Sequence, residues 1–285
     1  MAESRVGVLG ASGLVGECLL PLLSEAGWQV AAFSRFAVES GVGLTWRRLP
    51  CTEGLEGIPH WLCLAPIWVL PDYFALIEAS GARRVVVLSS TSRFTKVDSG
   101  DMAENVVAAR LIKGEAQVQA WAASRGIEWV ILRPTLIYGL GRDKNISEIA
   151  RFIRRFGFFP VLGKATGLRQ PIHAADVASA CVSALQAPDA ANRAYSISGG
   201  EMLTYREMVA RVFHALGRRP RLITVPLWAF RLAVSVLRCL PRYRQWSAAM
   251  AERMNRDLVF DYADATRDLK FKSRPFQLTP EDFTQ

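Results

Sequence analysis

Arg5-Val6-Gly7-Val8-Leu9-Gly10-Ala11-Ser12-Gly13-Leu14-Val15-Gly16 is the stretch whose reading decides the fold. Arg5–Leu9 has the apolar run of a buried strand, the glycines at 10, 13 and 16 mark a tight turn, and Leu14–Ala26 repeats apolar residues at helical spacing. Gly10 permits the turn, Gly13 lets backbone come close to a bound group, and Gly16 lets helix and strand pack without a Cβ between them. A turn of this kind aims unpaired N–H groups and the positive end of a helix dipole at an anion. We therefore expect Gly10, Ser12, Gly13, Leu14, Val15 and Gly16 to hold a diphosphate. The spacing is GxxGxxG rather than GxGxxG, so the strand before it and the helix after it carry the reading.

Working outward, short β-branched runs alternate with helical patterns through the first half of the chain. Gln29–Phe33, Trp61–Leu64, Arg84–Leu88 and Trp129–Leu132 join Arg5–Leu9 as expected central strands, and Pro71–Ala79 and Val106–Arg125 as helices between them. That alternation predicts an α/β fold: a doubly wound parallel sheet, or Rossmann fold, with ligand loops at the carboxyl ends of its strands. Residues 1–140 would form this dinucleotide-binding domain. Residues 141–285 would form a smaller C-terminal substrate lobe, some of whose elements return to the core. Helices are expected there at Ile146–Phe156, Ala174–Gln186 and Thr204–Leu216, with a strand at Ala194–Ile197. Thr204 and Glu207 fit a capping box.

At the end of the second strand, Phe33-Ser34-Arg35 lacks the acidic residue that would bond ribose hydroxyls. Arg35 can pair instead with a 2′-phosphate, supported by the Ser34 hydroxyl. The expected cofactor is NADP(H), with NAD(H) left open.

The bulk numbers set limits. At 285 residues and 51% hydrophobic side chains, the chain can bury a full core. Its five cysteines, Cys18, Cys51, Cys63, Cys181 and Cys239, form no CxxC pair or Cys/His cluster, so neither a metal site nor a disulfide framework is expected. Met1–Arg5 is polar and shows no secretory signal, which points to the cytoplasm. The net charge of +9 favours anionic partners, but the arginines lie in scattered clusters rather than one stripe, so nucleic acid is not expected.

With GASGLVG at Gly10–Gly16, LSSTS at Leu88–Ser92, LRPTLIYG at Leu132–Gly139 and QPIHAADVA at Gln170–Ala178, the chain resembles the short-chain dehydrogenase/reductase superfamily. Its extended and atypical NAD(P)-dependent epimerase/dehydratase branch is the nearest match. The resemblance spans almost the whole chain and implies an oxidoreductase or isomerase that moves hydride between nicotinamide and a carbinol carbon. It implies catalytic roles for Ser90, with Ser89 and Thr91 as neighbours in register, and for Lys113, which would also hold the nicotinamide ribose. It implies that Leu64-Ala65-Pro66 packs on the cofactor, that Ser89 also contributes to cofactor binding, and that Pro134 and Thr135 meet the carboxamide side of nicotinamide.

One element of the pattern is missing. The family's Tyr-x-x-x-Lys helix should place a phenol four residues before the lysine, where this chain has Ala109, and no tyrosine lies between Tyr73 and Tyr138. The alternatives are an enzyme on a small-molecule substrate such as a sugar nucleotide, or a non-catalytic dinucleotide-binding sensor or assembly subunit. His173 and Asp176 are expected to serve as helix-cap groups, and Tyr138 to pack in the core.

Leu222–Leu240 is strongly apolar. A helix from Pro226 to Leu240 would extend about 22 Å, short of the roughly 30 Å hydrocarbon core, so it should not span a membrane. A lobe helix over the substrate pocket or at a homodimer contact is the expectation, with a peripheral membrane contact as the alternative.

Overall fold

A computed structural model describes residues 4–35, 43–50, 57–97, 99–228 and 248–283. In chain order the first half runs β1 (Arg5–Leu9), α1 (Leu14–Glu25), β2 (Gln29–Ser34), β3 (Leu44–Arg48), β4 (His60–Cys63), a 3-10 turn at Ile67–Tyr73, α2 (Phe74–Ala79), β5 (Arg84–Leu88), α3 (Ser92–Thr95), α4 (Met102–Arg125) and β6 (Glu128–Pro134). The second half runs β7 (Ile137–Tyr138), α5 (Ile146–Phe156), β8 (Phe159–Leu162), β9 (Leu168–Arg169), β10 (Ile172–His173), α6 (Ala174–Gln186), β11 (Arg193–Ile197), β12 (Leu203–Thr204), α7 (Tyr205–Ala215), β13 (Leu222–Val225), α8 (Ala248–Asn255) and α9 (Ala263–Leu269).

Seven strands form one sheet in the order β11-β6-β5-β4-β1-β2-β3. Every pair is parallel. The strand order reverses at β1/β4, and at such a switch point the loops leaving the strands open a crevice for ligand. The central strands are buried on both faces, as near-continuous apolar runs require. One face packs on α1, α6 and α9 through Leu19, Val177, Ala184 and Leu269. The other packs on α2 and α4 around Trp61, whose Nε1 donates to Ser80 Oγ at 2.8 Å. Strand β11 and helix α6 come from beyond residue 140 yet belong to this layered sheet.

A third apolar cluster builds the lobe from α5, α7, β8 and Phe276. The capping box forms as the spacing required: Thr204 Oγ1 accepts the Glu207 N–H at 3.1 Å, and Glu207 accepts the Thr204 N–H at 2.7 Å.

Some elements differ from expectation. Pro71 sits inside the 3-10 turn, so the α-helix starts only at Phe74. Helix α4 begins at Met102 rather than Val106, because Asp101 caps it by accepting the Ala103 N–H at 2.9 Å. Leu222–Val225 is a strand paired with β8, and the helix expected from Pro226 falls largely outside the described residues, as do Cys51 and Cys239. Leu258 forms a parallel bridge with Arg169 before α9. Among the described residues no helix is long and apolar enough to cross a membrane, and no cluster of side chains could hold a metal ion.

Candidate active site and dinucleotide crevice

The glycine turn is built without room for side chains. Gly10 has φ +80°, and a Cβ there would lie 2.7 Å from the Ala65 nitrogen. At Gly16 a Cβ would lie 2.0 Å from the Ala11 carbonyl oxygen. Gly13 closes the turn by donating to the Gly10 carbonyl at 3.1 Å, and no side chain caps α1. The first N–H groups of α1 therefore face the crevice without a partner on their own helix. The turn thus lies against Leu64-Ala65-Pro66 at the end of β4, and these residues fit a dinucleotide diphosphate held by backbone alone.

Ser34 is buried and Arg35 exposed at the end of β2. Strand β3, which composition did not announce, pairs Arg48 with Ser34, so a second exposed arginine stands at the end of the neighbouring strand. From the lobe, Arg142 reaches over the turn, pairing with Glu17 and donating to the Ser12 carbonyl at 3.2 Å.

Beyond β5 and β6 lies a cleft of about 940 Å³ between the sheet edge and the lobe. Ser90 and Thr135 line it. Ser90 Oγ accepts the Ser92 N–H at 3.1 Å, which keeps the hydroxyl proton for a ligand. Pro134 accepts the Thr91 N–H at 3.1 Å, so the two strand ends are tied together. Ser89 turns away from the cleft and donates to Glu115 at 2.5 Å.

Lys113 does not line the cleft that Ser90 lines. Ala109 and Lys113 share the exposed face of α4, whereas Ala108, Leu111 and Glu115 are turned inward. The inward carboxylate of Glu115 pairs with Arg93 and with Arg133, the latter at 2.6 Å, and both guanidiniums flank the Phe94 ring. Of α4, only Glu104 lines the cleft, where Arg253, Lys96 and Ser99 hold it. Neither a phenol nor an ammonium group reaches the reacting edge from this helix.

Two cleft residues were not singled out by the sequence. Arg169 is 4% exposed, and its Nη1 and Nη2 donate to the carbonyls of Leu168, Arg256 and Arg253. Among the described residues no carboxylate pairs with it, and burial pulls its pKa down to about 10. Tyr205, at the start of α7, lies under that guanidinium, and burial pushes its phenol up to about 12 against the opposing charges of Arg169 and Arg253. Arg169 had no local pattern to reveal it, and Tyr205 was hidden inside a capping motif.

His173 and Asp176 hold structure. His173 Nδ1 accepts the Ala175 N–H at 3.1 Å, and Asp176 binds Arg274 at 2.8 Å. Tyr138 is fully buried and donates to the Gln277 carbonyl at 3.2 Å.

Residues 73–198, from the 3-10 turn to the end of β11, match the model of the NAD dependent epimerase/dehydratase family. The chain carries an epimerase/dehydratase family domain. The superfamily resemblance read from the sequence is borne out.

Relatives of this chain differ in what they do. UDP-glucose 4-epimerase of Vibrio cholerae is 28% identical over 120 residues, 42% of this chain and 37% of that one. A mitochondrial protein of Arabidopsis thaliana, NADH dehydrogenase [ubiquinone] 1 alpha subcomplex subunit 9, is 25% identical over 118 residues, 41% of this chain and 29% of that one. The chain therefore spans well under half the length of these two relatives. NAD(P)H azoreductase of Xenophilus azovorans is 26% identical over 238 residues, 77% of each chain. Among solved structures, UDP-glucuronic acid 4-epimerase from Bacillus cereus in complex with NAD superposes with a TM-score of 0.73 at 14% identity, covering 98% of this chain and 95% of that one. The α/β doubly wound architecture is thus one that this chain shares with that structure.

Proposed function

We propose that this chain is an NADP(H)-dependent oxidoreductase or epimerase acting on a small carbonyl or carbinol compound that bears an anionic group, a sugar nucleotide being the first class to test. The observation that carries this reading is the side-chain-free turn against Ala65 at the carboxyl ends of β1 and β4, with Arg35 and Arg48 at the ends of β2 and β3, in a chain whose cleft beyond β5 is lined by Ser90. When bound, the nicotinamide supplies or accepts hydride.

The chain's own residues divide the remaining work. Ser90 orients the substrate oxygen with its hydroxyl proton. Arg169, buried and in no salt bridge among the described residues, attracts the anionic group, because a desolvated cation gains most from a counter-charge. Tyr205 is protonated at neutral pH and stands in the same cleft, which makes it the candidate proton donor where α4 offers none. Lys113 keeps at most an indirect part, since it is exposed and does not line the cleft. The family's Bacillus cereus and Vibrio cholerae relatives act on sugar nucleotides, and the azoreductase relative favours a reductase reading.

A panel of sugar nucleotides and anionic ketones, assayed with NADPH and NADH, tests the proposal. Turnover should fall by about 10²-fold or more in Ser90→Ala and in Tyr205→Phe. Turnover unchanged in both variants, or absent on every compound, counts against it.

The phenol-free face of α4 also supports a second reading, in which the chain binds dinucleotide without catalysis as an assembly or sensor subunit. The Arabidopsis relative is named as a subunit of NADH dehydrogenase, which supports a place in an assembly. Tight NADPH binding with no turnover and a stable partner in a pull-down would favour it. Under either reading the expected location is the cytoplasm.

A further inference from the structure

The end of α5 and the turn before β13 meet on the lobe surface. Arg218 Nη1 donates to the Ile153 carbonyl at 2.8 Å, and the Phe159 N–H donates to the Arg221 carbonyl at 2.9 Å. This join gathers Arg154, Arg155, Arg218, Arg219 and Arg221 on one exposed surface. No aspartate or glutamate occurs from Ile149 to Ala175 or from Met208 to Ala251. None of the five guanidiniums pairs with a carboxylate among the described residues. Arg218 and Arg154 donate to backbone carbonyls, and Arg155 lies over the Phe156 ring. A cluster of like charges left without counter-ions by the fold must draw them from outside.

Large apolar side chains are exposed along the same elements. Phe156 and Ile223 are each 50% exposed, and Trp228 is 71% exposed at the far end of β13. Leaving aromatic and branched aliphatic groups in water beside a cationic cluster is costly for a free surface, yet it is the composition that seats at a lipid headgroup boundary. Arginines take the phosphates of anionic lipids while tryptophan and phenylalanine enter the interface. A nucleic-acid backbone would satisfy the arginines but has no use for Ile223 and Leu227, which flank the strand on the exposed side.

We propose that the surface formed by the end of α5, residues 217–221 and β13 docks this protein peripherally on an anionic lipid bilayer. Helix α5 also contributes Ile149 and Phe152 to the wall of the cleft, and the Phe152 ring lies 4.6 Å from that of Phe156, so the docking face borders the candidate active site along one helix. The proposal does not depend on the dinucleotide reading, because it rests on a different surface.

The test is flotation of the purified full chain with vesicles of phosphatidylcholine alone and of phosphatidylcholine containing about one-third phosphatidylglycerol. The expected result is flotation with the anionic vesicles only, weakening as salt is raised. Each removed arginine should lower the partition coefficient about fivefold, so Arg218→Gln/Arg219→Gln/Arg221→Gln should lower it by roughly 10²-fold, and Arg154→Gln/Arg155→Gln by about 25-fold. Trp228→Ser should lower it about tenfold with all charges intact. Near-native circular dichroism and thermal midpoints would identify variants that are folded, and the Arg154/Arg155 pair provides an independent set. Absence of the wild-type chain from the anionic vesicle fraction overturns the proposal, as does equal flotation with neutral vesicles. Flotation unchanged in Trp228→Ser and competed away by duplex DNA would reduce the surface to a polyanion binder and equally overturn it.

Discussion

The guanidinium of Arg169 lies over the ring of Tyr205, 5.5 Å from its centroid. Burial holds the phenol at about 12, above its ordinary value near 10. The folded chain therefore keeps a proton in the interval where the unfolded chain gives it up, and stability that is whole below pH about 10 is lost as the pH rises toward about 12. Urea midpoints measured at several alkaline pH values should fall for the wild type and fall less steeply for Tyr205→Phe. Some slope should persist, because burial also raises Tyr195 to about 12. Identical slopes would mean that the Tyr205 phenol is not desolvated as described.

Glu115 should matter for folding rather than for chemistry. It is 1% exposed and neutralises both Arg93 and Arg133 while accepting from Ser89. Replacing one partner of such a network leaves buried charge unpaired, at a cost of about 3–5 kcal/mol. Glu115→Gln is expected to lose stability in this range by denaturant unfolding. A change below about 1 kcal/mol would show that the arginines are solvated instead.

Coenzyme preference should follow the two arginines at the β2–β3 edge. Arg35→Ala is expected to weaken NADPH about tenfold or more while leaving NADH within about threefold, since one charge-assisted contact to phosphate is removed. Arg48→Ala should act in the same direction and more weakly. Dissociation constants for both nucleotides, measured side by side, decide this, and equal weakening of the two would rule out 2′-phosphate recognition.

Close packing of α1 on the turn gives a stability prediction. Gly16→Ala puts a methyl group 2.0 Å from the Ala11 oxygen and should cost about 1–3 kcal/mol through forced backbone movement. Gly100→Ala meets nothing within 4 Å and should be nearly neutral. Thermal midpoints of the pair make the comparison.

Much of the fold was legible because the signals are local. Valine-rich runs named β1 and β5 to the residue, and the 3.6 period did the same for α5 and α6. Strand β3 escaped because, as a half-exposed edge strand, Leu44–Arg48 has no continuous apolar run. The helix carrying Lys113 was found, but its rotation was not: the inward face is set by packing of Gly114 on Ile67 and by the Glu115 ion pairs, contacts that no window of sequence displays. Arg169 and Tyr205 lie 36 positions apart and meet only through the lobe's tertiary fold.

The most direct test of the central claim is calorimetric titration of NADPH and NADH into the wild-type chain and into Gly13→Val. A side chain at Gly13 crowds only the Gly10 carbonyl, 3.3 Å from the new Cβ, so the variant should fold while its crevice is blocked. Saturable NADPH binding in the wild type, at least tenfold weaker in the folded variant, is the predicted result. No binding of either nucleotide to the wild type, or equal binding to the two proteins, would contradict the assignment of this turn as a diphosphate cradle.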